Sequence, residues 1–496
     1  MNLQLPRSPR RSAFTLVEMM VTLTVTLIVM LALVTIFEWI GQRVQMGRAV
    51  IEVSGQLRSA SLRLQSDLDN VTVPMRPFAR IEQGAGYFHY REGAGWDGTG
   101  TVEGDVDDVL CFTARNDVEH FAGRYTLPNT GTVRISSPEA EIVWWAQYQD
   151  LNQDGALAAE ESVSRVLHRR VLLVNPSLNN VAGGPWFTLP NALSGATSYN
   201  TSNQSDLQTL AQHLRQVLNE IDVSMRFVRV VPSNNQMQIQ VYANSLADLT
   251  QPENRFLRHP MVFRTGGNYQ MVPQPGRPFA IDTNPASETR LEVIPLSGNR
   301  LGEDVILASV LAFDVRAYDP TALVASATGL GVLPSDNAWT PTLAIAAPIS
   351  RGAFVDLFYS RRFGTNWNAA AASTFSDIPQ LKSGIPAANE QPFYDTWSFH
   401  FENSGPATNG LDDDGANGTD DPGERLTAPP YPVPLRGLQS VLRVYEPDTR
   451  QVRQATVVSD FVHEYRVTFA TAIRFPLWHS FWNSQASRTG MVRSAR

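Results

Sequence analysis

The sequence predicts an α+β fold in which one long N-terminal helix packs on an antiparallel β-rich domain with loop insertions. Three observations lead to this prediction. An uncharged apolar run extends from Met19 to Phe37. Apolar residues then recur at helical spacing as far as Val71. From Arg80 onward the chain consists of short alternating or apolar runs separated by Gly, Pro, Asn and Asp, which is typical of strands and turns.

The N-terminal segment is basic and then apolar. Arg7, Arg10 and Arg11 precede the apolar run, which contains neither Pro nor Gly. About twenty apolar residues suffice for a helix to cross a hydrocarbon core. The basic flank predicts that residues 1–13 face the cytoplasm and that the rest of the chain lies across the membrane. An ordinary signal peptide fits poorly, because its apolar region would be shorter and a cleavage site would follow it.

A single carboxylate, Glu18, lies at the edge of the apolar run. An ionisable residue in such a place is costly and requires a partner. The stretch Ala13-Phe14-Thr15-Leu16-Val17-Glu18 resembles the processing motif of the type IV prepilin family, a small residue, usually Gly, before Phe-Thr-Leu-x-Glu. The resemblance implies cleavage after Ala13 by a prepilin peptidase and N-methylation of Phe14. It also implies that Glu18 pairs with the free N-terminus of a neighbouring subunit. A plain signal anchor would leave Glu18 unpaired.

The second half of the helix is amphipathic. Pro74 and Pro77 predict its end, giving a helix of about 85 Å at 1.5 Å per residue. The resemblance implies that this half packs under a β-sheet domain. The apolar face comprises Val53, Leu57, Ala60, Leu64, Leu68 and Val71, and the other positions hold Arg58, Arg63, Gln65, Asp67 and Asp69.

The predicted domain organisation has five parts. They are a leader at 1–13, a transmembrane segment at 14–40, an amphipathic helix at 41–73, a β-rich domain at 80–475 with insertions at 175–204, 266–289 and 402–430, and a tail at 476–496. A second helix is predicted over Gln204–Leu218 with Ser205 as its N-cap. The predicted strands are Asp108–Ala114, Thr132–Ser136, Glu141–Tyr148, Ser164–Val174, Asp222–Val231, Met237–Tyr242, Arg290–Pro295, Val305–Tyr318, Ser440–Tyr445, Val452–Val458 and His463–Ala470.

The run Val441–Phe461 resembles the terminal hairpin of minor pilins and pseudopilins, two strands around a turn at Pro447. Arg443, Arg450 and Arg453 are expected on its exposed face. Such a basic stripe could contact an acidic partner, but it is more often a solvated sheet face or a guard of an edge strand.

Composition limits the function classes. The chain has 496 residues and a net charge of −8, and no basic run interleaved with aromatics indicates nucleic acid as a partner. The single cysteine, Cys111, lies in a predicted buried strand and excludes an intramolecular disulfide. No HExxH, GxSxG, Walker-type or CxxC motif occurs, so nothing in the sequence supports an enzyme.

The stretch 150–161 fits the calcium-loop pattern D-x-[DN]-x-[DN]-G-x₅-E. It resembles the loops of EF-hand and dockerin families, except that strands rather than helices are predicted on both sides. The loop would therefore cap a β-hairpin as a structural calcium site. The alternative is an acidic, solvated turn without an ion. The candidate ligands are Asp150, Asn152, Asp154, the carbonyl of Ala156, and Glu161.

A second acidic stretch lies at 409–421 and resembles calcium-binding turns of thrombospondin type 3-like repeats, here in a single copy. Its candidate ligands are Asp412, Asp414 and Asp420. A disordered, solvated insertion is at least as consistent with so many like charges.

These observations together predict a non-enzymatic structural subunit of a type IV pilus or a type II secretion pseudopilus, anchored in the inner membrane with its large domain in the periplasm. Its size and terminal hairpin resemble W-type or J-type minor subunits. The expected partners are other pilin-type subunits, the prepilin peptidase and methyltransferase, and the membrane. The alternative is a membrane-anchored, calcium-dependent adhesin or binding protein that never enters a fibre.

Overall fold

The fold is known from a computed structural model. Residues Met1–Phe461 form one compact unit, and Val462–Arg496 form a second unit that lies outside the described residues. The structure describes residues 15–75, 83–91, 104–106, 108–127, 131–148, 165–180, 183–233, 235–251, 254–256, 262–265, 268–271, 296–327, 329–334, 336, 338–357, 393–397, 435–447 and 449–461.

A single helix, α1 (Leu16–Asp69), occupies 54 residues. Asn70 caps its C-terminus, where its backbone N–H donates to the carbonyls of Asp67 and Leu68. The helix ends before the prolines expected to stop it, because Val71 already pairs with Ala114 of the sheet. The prediction of a long N-terminal helix is confirmed.

The strands and the remaining helices follow in chain order. They are β1 (Phe88–Arg91), β2 (Val109–Arg115), β3 (Phe121–Leu127), β4 (Gly131–Ser137), β5 (Glu139–Tyr148), β6 (Arg165–Leu173), β7 (Phe187–Leu189), α2 (Asn191–Ser194), β8 (Tyr199–Asn200), α3 (Gln204–Glu220), β9 (Met225–Ser233), β10 (Gln236–Ala243), β11 (Val262–Thr265), β12 (Asn268–Met271), β13 (Val305–Ala327), β14 (Leu330–Val332), α4 (Pro341–Ala346), β15 (Pro348–Val355), β16 (Phe393–Asp395), β17 (Gly437–Glu446) and β18 (Gln451–Asp460).

Within the part of the chain that the structure describes, the main sheet has ten strands, with the order β16-β1-β2-β5-β6-β13-β17-β18, and β14 and β15 also pair with β13. Its strand pairs are antiparallel. The second half of α1 packs on this sheet through Leu57, Ala60, Leu64 and Leu68, which are buried in the same core as Leu442 of β17. The predicted α+β class is therefore confirmed.

A smaller lobe is built around α3. Leu210, Leu214 and Val217 of α3 pack against Ile239 and Val241 of β10, which form a second hydrophobic cluster. This hydrophobic face is the one that the leucine spacing predicts. The N-cap of α3, however, is Asn203 and not the predicted Ser205.

The side chain of Asn203 accepts a hydrogen bond from the backbone N–H of Ser205 at 2.9 Å. Asparagine and serine are equally good caps, so residue type alone could not separate the two positions.

The far end of β13 carries a third cluster. This strand runs for 23 residues, and beyond its pairing with β17 it pairs with β14 and β15 of the same sheet. Trp339 is buried there and donates its indole N–H to the carbonyl of Leu323 at 2.8 Å.

The terminal hairpin is present, but its arginines do not form one stripe. β17 and β18 pair from Gly437–Asp460 to Glu446–Gln451. Arg443 lies opposite Gln454, whereas Arg453 lies opposite Val444. Because neighbouring residues of a strand point to opposite faces, Arg443 and Arg453 lie on opposite faces of the hairpin. The expectation of a shared basic face is wrong.

Other differences concern short elements. The expected insertion at 175–204 contains β7, α2 and β8, and the one at 266–289 begins with β12. The sequence did not predict the strands β1, β3, β11, β14, β15 and β16. The predicted strands Arg290–Pro295 and His463–Ala470 and the insertion at 402–430 lie outside the described residues.

Candidate functional site: the N-terminal helix

The start of α1 is capped by its own sequence. The hydroxyl of Thr15 accepts a hydrogen bond from the backbone N–H of Glu18 at 3.3 Å, as an N-cap threonine does. Glu18 therefore lies in the first turn, where the helix dipole favours a negative charge. Its side chain is exposed. The predicted processing residues, Ala13 and Phe14, lie outside the described residues.

The first half of α1 is exposed along its whole length. Its most apolar 18-residue window has a mean hydropathy of 2.6, and none of it is buried within the protein. Four threonines in this half donate their hydroxyls to carbonyls three or four residues earlier, at 2.6–2.9 Å. Hydroxyls paired inside the helix leave only the apolar surface facing outward. The helix is thus long and apolar enough to cross a membrane. These threonines are Thr22, Thr24, Thr26 and Thr35.

The second half of α1 has two different faces. Ala60 is buried against the sheet, and Ile51, nine residues or two and a half turns earlier, is 74% exposed on the opposite side. Val44 and Leu62 lie on the same side as Ile51 and are 49% and 64% exposed. This face therefore exposes apolar side chains beyond the first half of the helix, with the exposed Arg58 between Ile51 and Leu62.

One carboxylate joins the helix to the sheet. Asp67 of α1 is 3% exposed and accepts two hydrogen bonds from Arg169 of β6, at 2.6 and 2.7 Å. The indole N–H of Trp144 on β5 donates to the same carboxylate at 2.9 Å. Two parallel bonds from one guanidinium fix both distance and orientation. Asp67, Arg169 and Trp144 are called the helix clamp below.

The helix clamp corrects the sequence-based assignment of Asp67 to the solvent-facing side. A signal was present in the spacing, because Asp67 follows Ala60 by seven residues and Leu64 by three, which places it on the apolar face. The residue type argued against burial, and the partner Arg169 lies 102 residues away in the sequence.

The comparison with known families bears on this helix. Residues 8–34 match the family model described as the prokaryotic N-terminal methylation motif. The N-terminal segment is of the prepilin type. The recognition of the type IV pilin and pseudopilin family from Ala13-Phe14-Thr15-Leu16-Val17-Glu18 is therefore confirmed. No curated protein and no solved structure matches the chain.

The prepilin-type chain also contains a buried carboxylate within its sheet. Glu141 of β5 is fully buried and accepts hydrogen bonds from the hydroxyls of Tyr87 and Ser224, each at 2.6 Å, and from the backbone N–H of Phe256 at 2.9 Å. Burial raises its pKa, and the hydrogen bonds from Ser224 and Tyr87 counteract this only in part. Glu141 thus ties three chain segments to one strand.

A second buried group links β1 to β16. Asp395 accepts from Arg255 at 2.6 Å and lies 2.9 Å from Nδ1 of His89. The Arg255 guanidinium also lies 4.0 Å from the ring centre of Tyr87. Burial lowers the pKa of His89 below its ordinary value, although Asp395 favours the protonated ring. Burial alone would raise the pKa of Asp395, but the charge of Arg255 and the bond to His89 lower it.

These buried groups hold strands of the sheet together. Among the described residues, no group of three or more His, Cys, Asp or Glu side chains is placed to hold a metal ion. Cys111 of β2 is buried as the sequence predicts, and burial raises the pKa of its thiol.

The candidate calcium ligands Asp150, Asn152, Asp154, Ala156 and Glu161 lie outside the described residues, as do Asp412, Asp414 and Asp420. The flanks of the first loop are described. β5 and β6 are antiparallel and pair up to Tyr148 and Arg165. The loop 150–161 therefore joins two paired strands, as the sequence predicts.

Proposed function

We propose that this prepilin-type chain is a minor subunit of a type IV pilus or a type II secretion pseudopilus. Its leader is removed after Ala13 by a prepilin peptidase, and Phe14 is then N-methylated. The chain spans the inner membrane through residues 14–40 with its β-rich domain outside, and it enters the fibre through α1. The methylation motif over residues 8–34 is the observation that carries this proposal.

The shape of α1 supports assembly through the helix. The first half of α1 exposes a long apolar surface, which must lie in lipid or against other helices. Val44, Ile51 and Leu62 add exposed apolar side chains on the side of α1 that faces away from the sheet. The helix clamp at Asp67 and Arg169 then transmits the position of the helix to the domain.

Glu18 supplies the charge for assembly. In lipid, an unpaired carboxylate is costly, and the ammonium group of a processed neighbour would neutralise it.

We also propose that the loop 150–161 binds calcium and stabilises the β5–β6 hairpin. The loop pattern and the paired flanking strands support this proposal.

The experiment is expression of the chain with its assembly machinery, followed by isolation from membranes and from sheared fibres. Mass spectrometry of the mature chain should find an N-methylated N-terminal phenylalanine. Glu18→Ala should insert into membranes but be depleted from fibres, whereas Glu38→Ala, an exposed carboxylate on the same helix, should assemble normally.

Equal recovery of Glu18→Ala and the unaltered chain in fibres would remove the pairing role of Glu18. An unprocessed chain confined to membranes would instead favour the alternative, a membrane-anchored calcium-dependent adhesin or binding protein.

A further inference from the structure

The uncharged part of α1 lies between two carboxylates, Glu18 and Glu38. Glu38 is the first charged residue after Glu18 and follows it by 20 positions in the sequence. At 1.5 Å per residue the two carboxylates are separated by about 30 Å along the axis, which is the thickness of a hydrocarbon core. When Glu18 lies at one boundary of the membrane, Glu38 lies at the other.

Trp39 and Arg43, which follow Glu38 in the helix, form an aromatic–cation pair. Trp39 is 58% exposed, and the guanidinium carbon of Arg43 lies 4.9 Å from the centre of its ring. The two residues are four apart and therefore share one side of the helix. Side chains on a helix lean toward its N-terminus, so Arg43 reaches back toward the level of Trp39 and Glu38.

The geometry points to a lipid-binding site, and we propose that Trp39 and Arg43 bind the phosphate groups of phospholipids at the outer face of the membrane. This inference rests on the membrane insertion proposed above. Indole rings favour the headgroup region because one edge is apolar and the N–H is polar. The planar guanidinium of arginine matches a phosphate with several donors at once. Together they set the depth at which the helix is held.

The domain leaves room for headgroups at this level. The first half-buried residues of α1 are Ala49 and Val50, six positions after Arg43, or about 9 Å along the axis. Phospholipid headgroups can therefore surround Trp39 and Arg43 without displacing the sheet. Arg48 is exposed within this interval, but it lies about 140° around the helix from Arg43 and cannot join the same site.

The full chain is reconstituted in vesicles of phosphatidylcholine and phosphatidylglycerol whose acyl chains are brominated either near the headgroup or near the chain end. Bromine quenches tryptophan fluorescence on contact. Trp39→Phe should remove most of the quenching by headgroup-proximal bromine. Trp186→Phe, at a half-buried site of the α3 lobe, should leave that quenching unchanged.

Arg43→Gln should move Trp39 deeper and lower the ratio of shallow to deep quenching, because the helix loses an arginine that is attracted to the anionic surface. Arg48→Gln should not change this ratio. The inference is overturned if Trp39→Phe leaves quenching unaltered or if Arg43→Gln keeps the depth of the unaltered chain. A chain that does not float with the vesicles would instead overturn the proposed membrane insertion.

Discussion

The carboxylate of Asp67 and the guanidinium of Arg169 form two parallel hydrogen bonds, at 2.6 and 2.7 Å, between the last turns of α1 and strand β6. The side chain of Asp67 is 4% exposed and that of Arg169 is 10% exposed, so neither charge is well solvated. The ring of Trp144 lies beneath the guanidinium, whose carbon is 5.9 Å from the ring centre. This pair fixes the last turns of α1 to strand β6 of the domain.

Asp67→Asn should destabilise the full chain by about 3 kcal/mol, because it leaves the poorly solvated guanidinium of Arg169 without its counter-charge. Urea unfolding in detergent, followed by tryptophan fluorescence, measures the free energy of unfolding. The matched control is Asp69→Asn, an exposed carboxylate two residues later, which should change that free energy by less than about 0.5 kcal/mol. Equal effects of the two variants would contradict the role of the helix clamp.

How far the fold could be predicted depended on how regular each pattern was. The periodicity of α1 extends over many turns, and the strands β5 and β6 have long runs rich in branched and aromatic residues. By contrast, β1 is buried at all four positions and shows no alternation. In β3 no residue is fully buried and Gly123 interrupts the pattern. Short strands of these two kinds acquire their structure from their neighbours.

The residues of the candidate site also differ in how far the sequence could predict their roles. Glu18 could be assigned because a motif of local residues surrounds it, whereas the role of Asp67 depends on Arg169, 102 residues away. The buried pair of His89 and Asp395 is separated by 306 residues. A single sequence carries no signal of such pairings, since they arise only when the sheet brings β1, β6 and β16 together.

The stability of the domain should fall as the pH decreases below about 6.5, the value at which histidine titrates in an unfolded chain. The pKa of His89 is lowered by burial, so the unfolded state takes up a proton that the folded state does not. The free energy of unfolding should therefore decrease by up to about 1.4 kcal/mol per pH unit for this one group.

Urea unfolding of the full chain between pH 7.5 and pH 5.5, a window of about one unit on each side of the unfolded histidine pKa, measures this slope. His89→Gln should flatten it, and His120→Gln, at an exposed position, should not. An unchanged slope in His89→Gln would show that His89 is not the group that titrates.

Gly86 should not tolerate a side chain. Its φ is +79°, and a Cβ built there would lie 2.8 Å from Cβ of Thr113 and would also clash with the hydroxyl of that residue. Thr113 is buried and accepts a hydrogen bond from the backbone N–H of Tyr87 at 3.0 Å, so it cannot move aside freely. Gly86→Ala should therefore destabilise the chain by about 3 kcal/mol or more through overpacking and backbone strain.

Gly131 provides the comparison for that variant. Its φ is +66°, but a Cβ added there meets nothing within 4 Å. Gly131→Ala should cost only the strain of an alanine at positive φ, about 1 kcal/mol. The difference between the two melting temperatures isolates the contact with Thr113, and equal melting temperatures would contradict the close approach of Gly86 to β2.

Calcium should raise the thermal stability of the full chain if the loop 150–161 binds it. A ligand that binds only the folded state at a hundredfold excess over its Kd adds about 2.7 kcal/mol to the free energy of unfolding. Because the loop joins β5 and β6, and these strands carry Trp144 and Arg169 of the helix clamp, binding at the loop should stabilise the same hairpin that holds α1.

The double variant Asp150→Asn/Asp154→Asn should lose this rise, since a calcium loop depends on its carboxylate oxygens. The double variant Asp412→Asn/Asp414→Asn tests the second acidic stretch in the same melting experiment, and magnesium at the same concentration controls for ionic strength. A rise of equal size in the Asp150/Asp154 variant would assign the effect to another part of the chain. No rise in the unaltered chain would leave the loop as an acidic turn.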